Sequence, residues 1–249
     1  MRLPSVAVWL GVIAAMLAGC KWMPGRPTDA DRPAIPSQVK DFAALYSEYC
    51  AGCHGADGRL GAALPLNDPL YLALVSDDAL RQVTVQGVPG TTMAAFGHDA
   101  GGYLTDEQVD ILVRGMRTRW ARPQQFANVA LPPYSSRAAE ASGESPGNPQ
   151  RGQAAYATYC ARCHGTDGRG GEKAGPIADP SYLALVSDQA LRTTVIVGRP
   201  DLEMPDWRNR ATGMPMSAQE ISDVVAWLAA QREPVAGRPP TAAAREGTS

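Results

Sequence analysis

Residues 49–58 read YCAGCHGADG, and residues 159–168 read YCARCHGTDG. The two stretches differ at two positions only, so a segment with two cysteines and a histidine occurs twice in one chain. The repeat extends further, because YLALVSDDALR at residues 71–81 recurs as YLALVSDQALR at residues 182–192. The offset is 110 residues at the cysteines and 111 residues from residue 71 onward. Self-similarity at this period indicates two duplicated domains rather than a solenoid.

The composition suits a packed globular protein that does not bind nucleic acid. The chain has 249 residues, of which 45% are hydrophobic, enough for one large domain or two small ones. Its formal net charge is -2 and its pI is about 5.9. Because no run of Lys or Arg is available to neutralise phosphates, nucleic acid is excluded as a partner.

Each repeat carries patterns that are typical of α-helices. Apolar residues at helical spacing over residues 42–49 lead directly into the first pair of cysteines. Thr105 with Gln108, and Ser217 with Glu220, form predicted capping boxes in front of apolar runs. Since no convincing β-strand pattern is present, the sequence predicts an all-α fold.

The N-terminus predicts export and a lipid anchor. An apolar run over residues 6–20 follows Arg2 and has the length of a signal-peptide core rather than of a membrane-spanning helix. It ends in LAGC, which resembles a bacterial lipobox, so we expect residues 1–19 to be removed and Cys20 to be lipidated. The proline-rich residues 20–37 would then tether the protein at the periplasmic side of a membrane.

The repeated Cys-X-X-Cys-His pattern is the attachment signature of c-type haem. Two cysteines one helical turn apart can bond two vinyl positions on one edge of the porphyrin, and the next histidine can present its imidazole to the iron. Thioether bonds would also explain why four cysteines persist in an exported chain, where thiols tend to form disulfides. The residues concerned are Cys50, Cys53 and His54 in the first repeat and Cys160, Cys163 and His164 in the second.

Three other interpretations of the cysteines compete with haem attachment. A Cys-X-X-Cys pair can be a redox-active disulfide of the thioredoxin kind, but no βαβ pattern surrounds either pair. The four cysteines could bind zinc across the two repeats, although zinc does not require a histidine directly after each pair. The pairs could also be plain disulfides.

With these two motifs the chain resembles the class I cytochrome c family, over residues 38–122 and 150–233. The resemblance implies two tandem domains, each a small helical bundle around one covalently bound haem c. The haem would be held between an N-terminal and a C-terminal helix. Residues 123–149 are then expected to form a linker that is ordered at most in part, and residues 234–249 a disordered tail.

The resemblance implies a methionine as the second axial ligand of each iron, and the repeat indicates Met93 and Met204. The two residues share the offset of 111, and each has an aromatic residue three positions later, Phe96 and Trp207. Met204 precedes a proline, as is typical of the ligand loop of the family, whereas Met93 does not.

Other residues compete for the axial positions. In the first repeat His98 stands five residues after Met93 and is an alternative sixth ligand. In the second repeat Met214 is a competitor. Met116 and Met216 match leucines of the other repeat, so we expect them in the core.

The repeat also yields two expectations about neighbouring residues. By resemblance, the carbonyl of Pro65 or Pro176 would accept a hydrogen bond from the haem histidine and fix its ring.

Large and small residues are exchanged between the terminal helices of the two repeats. Phe42 matches Gly152, and Gly115 matches Trp227. If these positions meet where the helices cross, each crossing holds one large and one small residue.

The expected function is one-electron transfer by a dihaem cytochrome, because His and Met ligands favour ferrous iron and leave no open coordination position. Its expected partners are redox proteins, such as a quinol-oxidising complex, a terminal oxidase or a photosynthetic reaction centre. An alternative is a dihaem enzyme, peroxidase-like or oxidising sulfur compounds, with catalysis at the first haem. A third class is a structural module that binds zinc.

Overall fold

The computed structural model describes Gly25, Thr28 and residues 35–211 and 213–233. The predicted signal peptide, Cys20, most of the tether and the tail after residue 233 lie outside the described residues. Contacts divide the chain into two units, Met1–Val39 and Lys40–Ser249. In the first unit, Pro36–Gln38 form a 3₁₀-helix. No helix in the described part is long and apolar enough to cross a membrane.

The fold is all-α, as predicted, and the described residues contain isolated β-bridges but no strand. The α-helices of the first repeat are α1 Phe42–Tyr49, α2 Ala51–His54, α3 Pro69–Leu74, α4 Asp77–Gln86 and α5 Asp106–Trp120. One helix, α6 Ser136–Ala141, lies between the repeats. The α-helices of the second repeat are α7 Pro149–Tyr159, α8 Ala161–His164, α9 Pro180–Leu185, α10 Asp188–Val197 and α11 Ala218–Ala230.

The last helix of each repeat begins with the predicted capping box. The Thr105 side chain accepts a hydrogen bond from the Gln108 amide, and the Gln108 side chain accepts one from the Thr105 amide. Ser217 and Glu220 make the same reciprocal pair at the start of α11. Each box satisfies two amides that a helix start otherwise leaves without partners, so both helices begin at a fixed residue.

The predicted exchange of large and small residues is confirmed where the terminal helices cross. A Cβ atom added to Gly115 would lie 1.9 Å from Phe42 Cδ2, so the phenyl ring covers this glycine. A Cβ atom added to Gly152 would lie 2.7 Å from Trp227 Cβ. Helices α1 and α5, and helices α7 and α11, therefore approach each other closely with one large residue at each crossing.

The segment between the repeats is more ordered than we expected. Phe126, in the 3₁₀-helix Pro123–Phe126, is buried, and so is Ala139 in α6. The carbonyl oxygen of Pro133 accepts a 3.0 Å hydrogen bond from Arg192 Nε in the second repeat. The expectation of partial order is wrong because the composition of this segment hid the few apolar residues that bind it to the second repeat.

Candidate haem sites

Each Cys-X-X-Cys-His motif occupies one helical turn directly after the first helix of its repeat. The Cys50 amide donates to the Tyr46 carbonyl at 2.9 Å, and the His54 amide donates to the Cys50 carbonyl at 3.0 Å. Helix α2 thus places both cysteines and the histidine of the first repeat on consecutive positions of a single turn. The second repeat has the same two hydrogen bonds at Cys160 and His164, of 2.9 and 3.0 Å.

One hydrogen bond orients each haem histidine. The Nδ1 atom of His54 lies 2.8 Å from the Leu64 carbonyl oxygen, and that of His164 lies 2.8 Å from the Gly175 carbonyl oxygen. Since a carbonyl only accepts, Nδ1 carries the proton and Nε2 keeps the lone pair that a metal needs.

The acceptor carbonyls were predicted one residue too late. We expected the carbonyls of Pro65 and Pro176, but the acceptors belong to the residues before them, Leu64 and Gly175. A proline restricts the residue before it to extended backbone conformations, so its effect falls on the preceding carbonyl.

The electrostatics of His54 favour a neutral ring. Burial lowers its pKa, the hydrogen bond to Leu64 opposes this, and the positive charge of Arg199 lowers the pKa further. Neutral imidazole is the form that coordinates a metal. Arg199 belongs to the second repeat, so the two repeats come close together at this histidine.

The thiols are protonated and unpaired, which argues against two of the alternatives. Cys50, Cys53, Cys160 and Cys163 form no disulfide in the structure. Burial, with a smaller contribution from Cys53, raises the pKa of Cys50 to about 12, and burial also raises the pKa of Cys160. Redox-active and metal-binding cysteines need a lowered pKa instead. Within the described ranges, no three His, Cys, Asp or Glu side chains come together as metal ligands.

A tyrosine and a tryptophan support each haem-binding turn, and we did not anticipate this from the sequence. Tyr46 OH donates to the Gly55 carbonyl at 3.1 Å, and the Trp120 ring packs on the Tyr46 ring with centroids 5.2 Å apart. In the second repeat Tyr156 OH donates to Gly165, and Trp227 packs on Tyr156 with a centroid distance of 4.2 Å.

The Met93 and Met204 loops have the same backbone geometry. Each follows a glycine with positive φ, 64° at Gly87 and 78° at Gly198. A Cβ atom on Gly87 would lie 2.6 Å from the Met93 carbonyl oxygen, and one on Gly198 would lie 2.5 Å from that of Met204. Glycine is required because the chain turns back on itself at this distance. Both methionine side chains are half-buried.

The competitors for the axial positions lie elsewhere. The His98 side chain is 80% exposed, and its Nδ1 atom lies 3.7 Å from Asp99 Oδ1. Met214 is 52% exposed, whereas Met116 and Met216 are buried in the core as expected. This arrangement supports Met93 and Met204 as the axial candidates.

Arg210 is a candidate that the sequence did not reveal. Its Nη2 atom donates to the carbonyls of Val195 at 2.7 Å and Thr194 at 3.2 Å. Its buried Nε atom has no hydrogen-bond partner in the described part of the chain. Burial lowers the pKa of Arg210, and the nearby Cys160 and Asp206 oppose this. The carboxylates of a haem are acceptors of the kind that this donor lacks, so the residues present fit the group.

A family comparison matches both repeats. The family described as "Cytochrome C oxidase, cbb3-type, subunit III" matches residues 37–114 and again residues 147–228, more than half of the chain.

Individual proteins show the same relationship. The chain is 30% identical over 183 residues to "Cbb3-type cytochrome c oxidase subunit CcoP" of Azospirillum sp. (strain B510), covering 66% of this chain and 54% of that protein. It is 26% identical over 182 residues to the protein of the same name from Azospirillum brasilense, with the same two coverages. The chain thus spans about half the length of these curated relatives.

Two further similarities are narrower. A "Dihydro-heme d1 dehydrogenase" of Pseudomonas aeruginosa is 41% identical over 70 residues, which are 28% of this chain and 13% of that protein. A solved chain of the "Kuenenia stuttgartiensis reducing HAO-like protein complex" covers 81% of this chain and 100% of its own length, with TM-score 0.40 and 16% identity. Two family matches and two haem-attachment motifs agree: the chain belongs to the family of cbb3-type cytochrome c oxidase subunit III and is a dihaem c-type cytochrome with two covalently bound haem c groups.

Proposed function

We propose that this dihaem cytochrome is an exported, lipid-anchored electron carrier that passes single electrons between redox proteins at the periplasmic side of a membrane. The observation that carries the proposal is the pair of matched turns, in which each haem histidine has its Nδ1 atom bound to a carbonyl. Bound haem supplies an iron that accepts and releases one electron.

The residues of the chain hold and shield each haem in the same way in both repeats. The cysteines attach the porphyrin, the histidine binds on one side through Nε2, and the methionine loop closes the other side. Six ligands to each iron leave no position for a substrate, which favours a carrier over an enzyme. The residues proposed to hold the haems are Cys50, Cys53, His54 and Met93 in the first domain and Cys160, Cys163, His164 and Met204 in the second.

We propose a terminal oxidase of the cbb3 type as the partner. The two Azospirillum relatives are named as subunits of such an oxidase, and the family has the same name. The near-neutral charge of the chain, -2, suits docking through apolar surface with modest electrostatic steering.

The lipid anchor rests on Cys20 and the proline-rich tether after it. A Cys20→Ser variant should lose lipid labelling and move from the membrane fraction to the soluble fraction. If it stayed in the membrane fraction, the proposed anchor would be wrong.

A catalytic role for the first haem would need an open or unusual sixth position. Our best candidate for it was His98, whose side chain is largely exposed. That placement favours the carrier.

The decisive experiment is a pyridine haemochrome assay on protein made in a host that attaches c-type haem. We expect two c-type haems per chain, and one per chain in a variant with Cys160→Ala and Cys163→Ala. Met214→Leu is the matched control, because that side chain is exposed, and it should keep both haems. Zero haem in the unchanged protein, with zinc or disulfides at the cysteines, would refute the proposed function.

A further inference from the structure

The two domains touch through the loops that hold their haem sites. The Leu60 amide of the first domain donates to Asp201 Oδ2 of the second at 3.1 Å. Arg199 Nη2 of the second domain donates to the Gly61 carbonyl of the first, also at 3.1 Å. Two consecutive residues of one loop are thus bound by two residues of the other.

Each of these loops is packed directly on the haem-binding elements. A Cβ atom on Gly61 would lie 2.2 Å from the Cys53 carbonyl oxygen and 2.6 Å from the carbonyl carbon of His54. Arg199 and Met204 exchange two backbone hydrogen bonds, both of 3.0 Å. A displacement of either loop would therefore displace a residue that holds a haem.

Arg199 and Asp201 form a buried, two-bond ion pair. Nε and Nη2 of Arg199 each donate to one carboxylate oxygen of Asp201 at 2.9 Å. The side chains are 14% and 5% exposed. Burying such a pair is costly unless its remaining hydrogen-bonding capacity is used. Here the first domain uses it, through Leu60 and Gly61.

The contact breaks the internal repeat on both sides. The positions in the first repeat that match Arg199 and Asp201 are Val88 and Gly90, which cannot form an ion pair. The position that matches Leu60 is Gly170.

Leu60 adopts a conformation that suits its glycine counterpart. Its φ is 62°, and that of Gly170 is 103°. A left-handed leucine costs on the order of 1 kcal/mol relative to glycine. Its amide is held in place by Asp201, and its side chain is exposed. The two departures from the repeat therefore meet in a single contact.

We propose that Arg199 and Asp201 form an interdomain clamp that fixes the two haem sites at a set separation. The clamp positions the sites for transfer of one electron between them. In that transfer one site is oxidised and the other is reduced by the same electron, and no proton moves and no bond forms. This inference rests on the proposed electron-transfer function, and it assigns Arg199 and Asp201 as positioning residues.

The test uses full-length, haem-loaded protein with Asp201→Ala and Asp201→Asn. The first readout is hydrogen exchange at the Leu60 amide, and the second is the rate of electron exchange between the haems. Asp201→Ala should speed amide exchange by about tenfold or more, since it removes a charge-assisted hydrogen bond. The electron-exchange rate should fall in the same variant, with two haems still attached.

The conservative variant and a control separate positioning from general charge loss. Asp201→Asn keeps an oxygen that can accept from Leu60 but loses the ion pair, so both effects should be intermediate. Asp110→Asn removes a carboxylate that binds Arg81 at 3.0 Å within the first domain, and it should change neither readout.

The outcomes distinguish the clamp from the function on which it rests. Unchanged Leu60 exchange and an unchanged rate in Asp201→Ala, with two haems present, would overturn the clamp and leave the carrier function standing. A parent protein without haem, or without any electron exchange, would overturn the proposed function itself.

Discussion

At the scale of single residues, the axial methionine of the second domain is the best-placed side chain for a functional test. Met204 lies in a tight loop that Gly198 closes, and its backbone is bound to Arg199. A thioether ligand stabilises ferrous iron. Met204→Ala should therefore lower one midpoint potential by on the order of 0.1 V and leave the other unchanged.

The measurement for Met204 is a redox titration followed by absorption. Met214→Leu is the control, because Met214 has the same chemistry but an exposed side chain. Two unchanged midpoints in Met204→Ala would show that another residue binds the iron of the second haem.

Arg210 yields a second prediction at this scale. Its buried Nε atom lacks a protein acceptor, and we expect a haem carboxylate to fill that role. A fixed positive charge near the iron favours the reduced state. Arg210→Leu should lower the potential of the second haem by roughly 1 kcal/mol, or tens of millivolts for one electron.

The control for Arg210 is Arg210→Lys, which keeps the charge and should restore most of the potential. If Arg210→Leu and the parent protein titrate identically, the guanidinium is structural only and the assignment is wrong.

Residue-level prediction from the sequence succeeded where chemistry or the repeat fixes a position. The Cys-X-X-Cys-His spacing identifies two turns that the structure confirms as helical. The core positions of Met116 and Met216 followed from their matching leucines. Arg210 was missed because the matching region of the first repeat holds His98 and Asp99, so the repeat gave no signal there.

At the scale of helices, the close approach of α7 and α11 yields a stability prediction. A Cβ atom on Gly152 would lie 2.0 Å from the Asp223 carbonyl oxygen, which belongs to backbone and cannot move cheaply. Gly152→Ala should therefore lower the free energy of unfolding by about 1–3 kcal/mol, although alanine is the better helix former.

The measurement for Gly152 is denaturant unfolding followed by circular dichroism. Gly52→Ala is the matched control in a helix, since nothing lies within 4 Å of its added Cβ and the second repeat has Arg162 there. Equal stability of Gly152→Ala and Gly52→Ala would show that the crossing is looser than the structure indicates.

The terminal helices also show why the repeat register predicts only part of the packing. Arg117 of α5 binds the carbonyl of Val75, and Arg232 binds the matching carbonyl, that of Val186. The two arginines are 115 residues apart, whereas the carbonyls are 111 apart. The same contact is therefore made from positions one helical turn apart, which sequence alignment by offset does not detect.

The tryptophans that pack on the haem-side tyrosines depart from the register in the opposite direction. Trp120 and Trp227 are 107 residues apart, but they make equivalent contacts with Tyr46 and Tyr156. Packing fixes where an indole must lie, and a helix can supply it from more than one position.

At the scale of the whole molecule, the contact between the domains changes what sets the separation of the haems. From the sequence, the linker was expected to set it. The structure instead joins the haem loops directly, through Leu60 and Asp201, and packs the linker on the second domain. Such a contact was not predictable from the repeat, because Arg199 and Asp201 have no counterparts there.

The last prediction distinguishes these two determinants of separation. Inserting four Gly and Ser residues after the exposed Asn128 lengthens the linker by about 0.1 kcal/mol of loop-closure cost. If the clamp sets the separation, the rate of electron exchange between the haems should stay close to that of the parent, because the docked state remains favoured. Asp201→Ala combined with the insertion should slow the exchange more than Asp201→Ala alone, since a longer linker then allows wider separation. An insertion that by itself slows the exchange as much as Asp201→Ala would show that the linker, rather than the ion pair, holds the haems at their working distance.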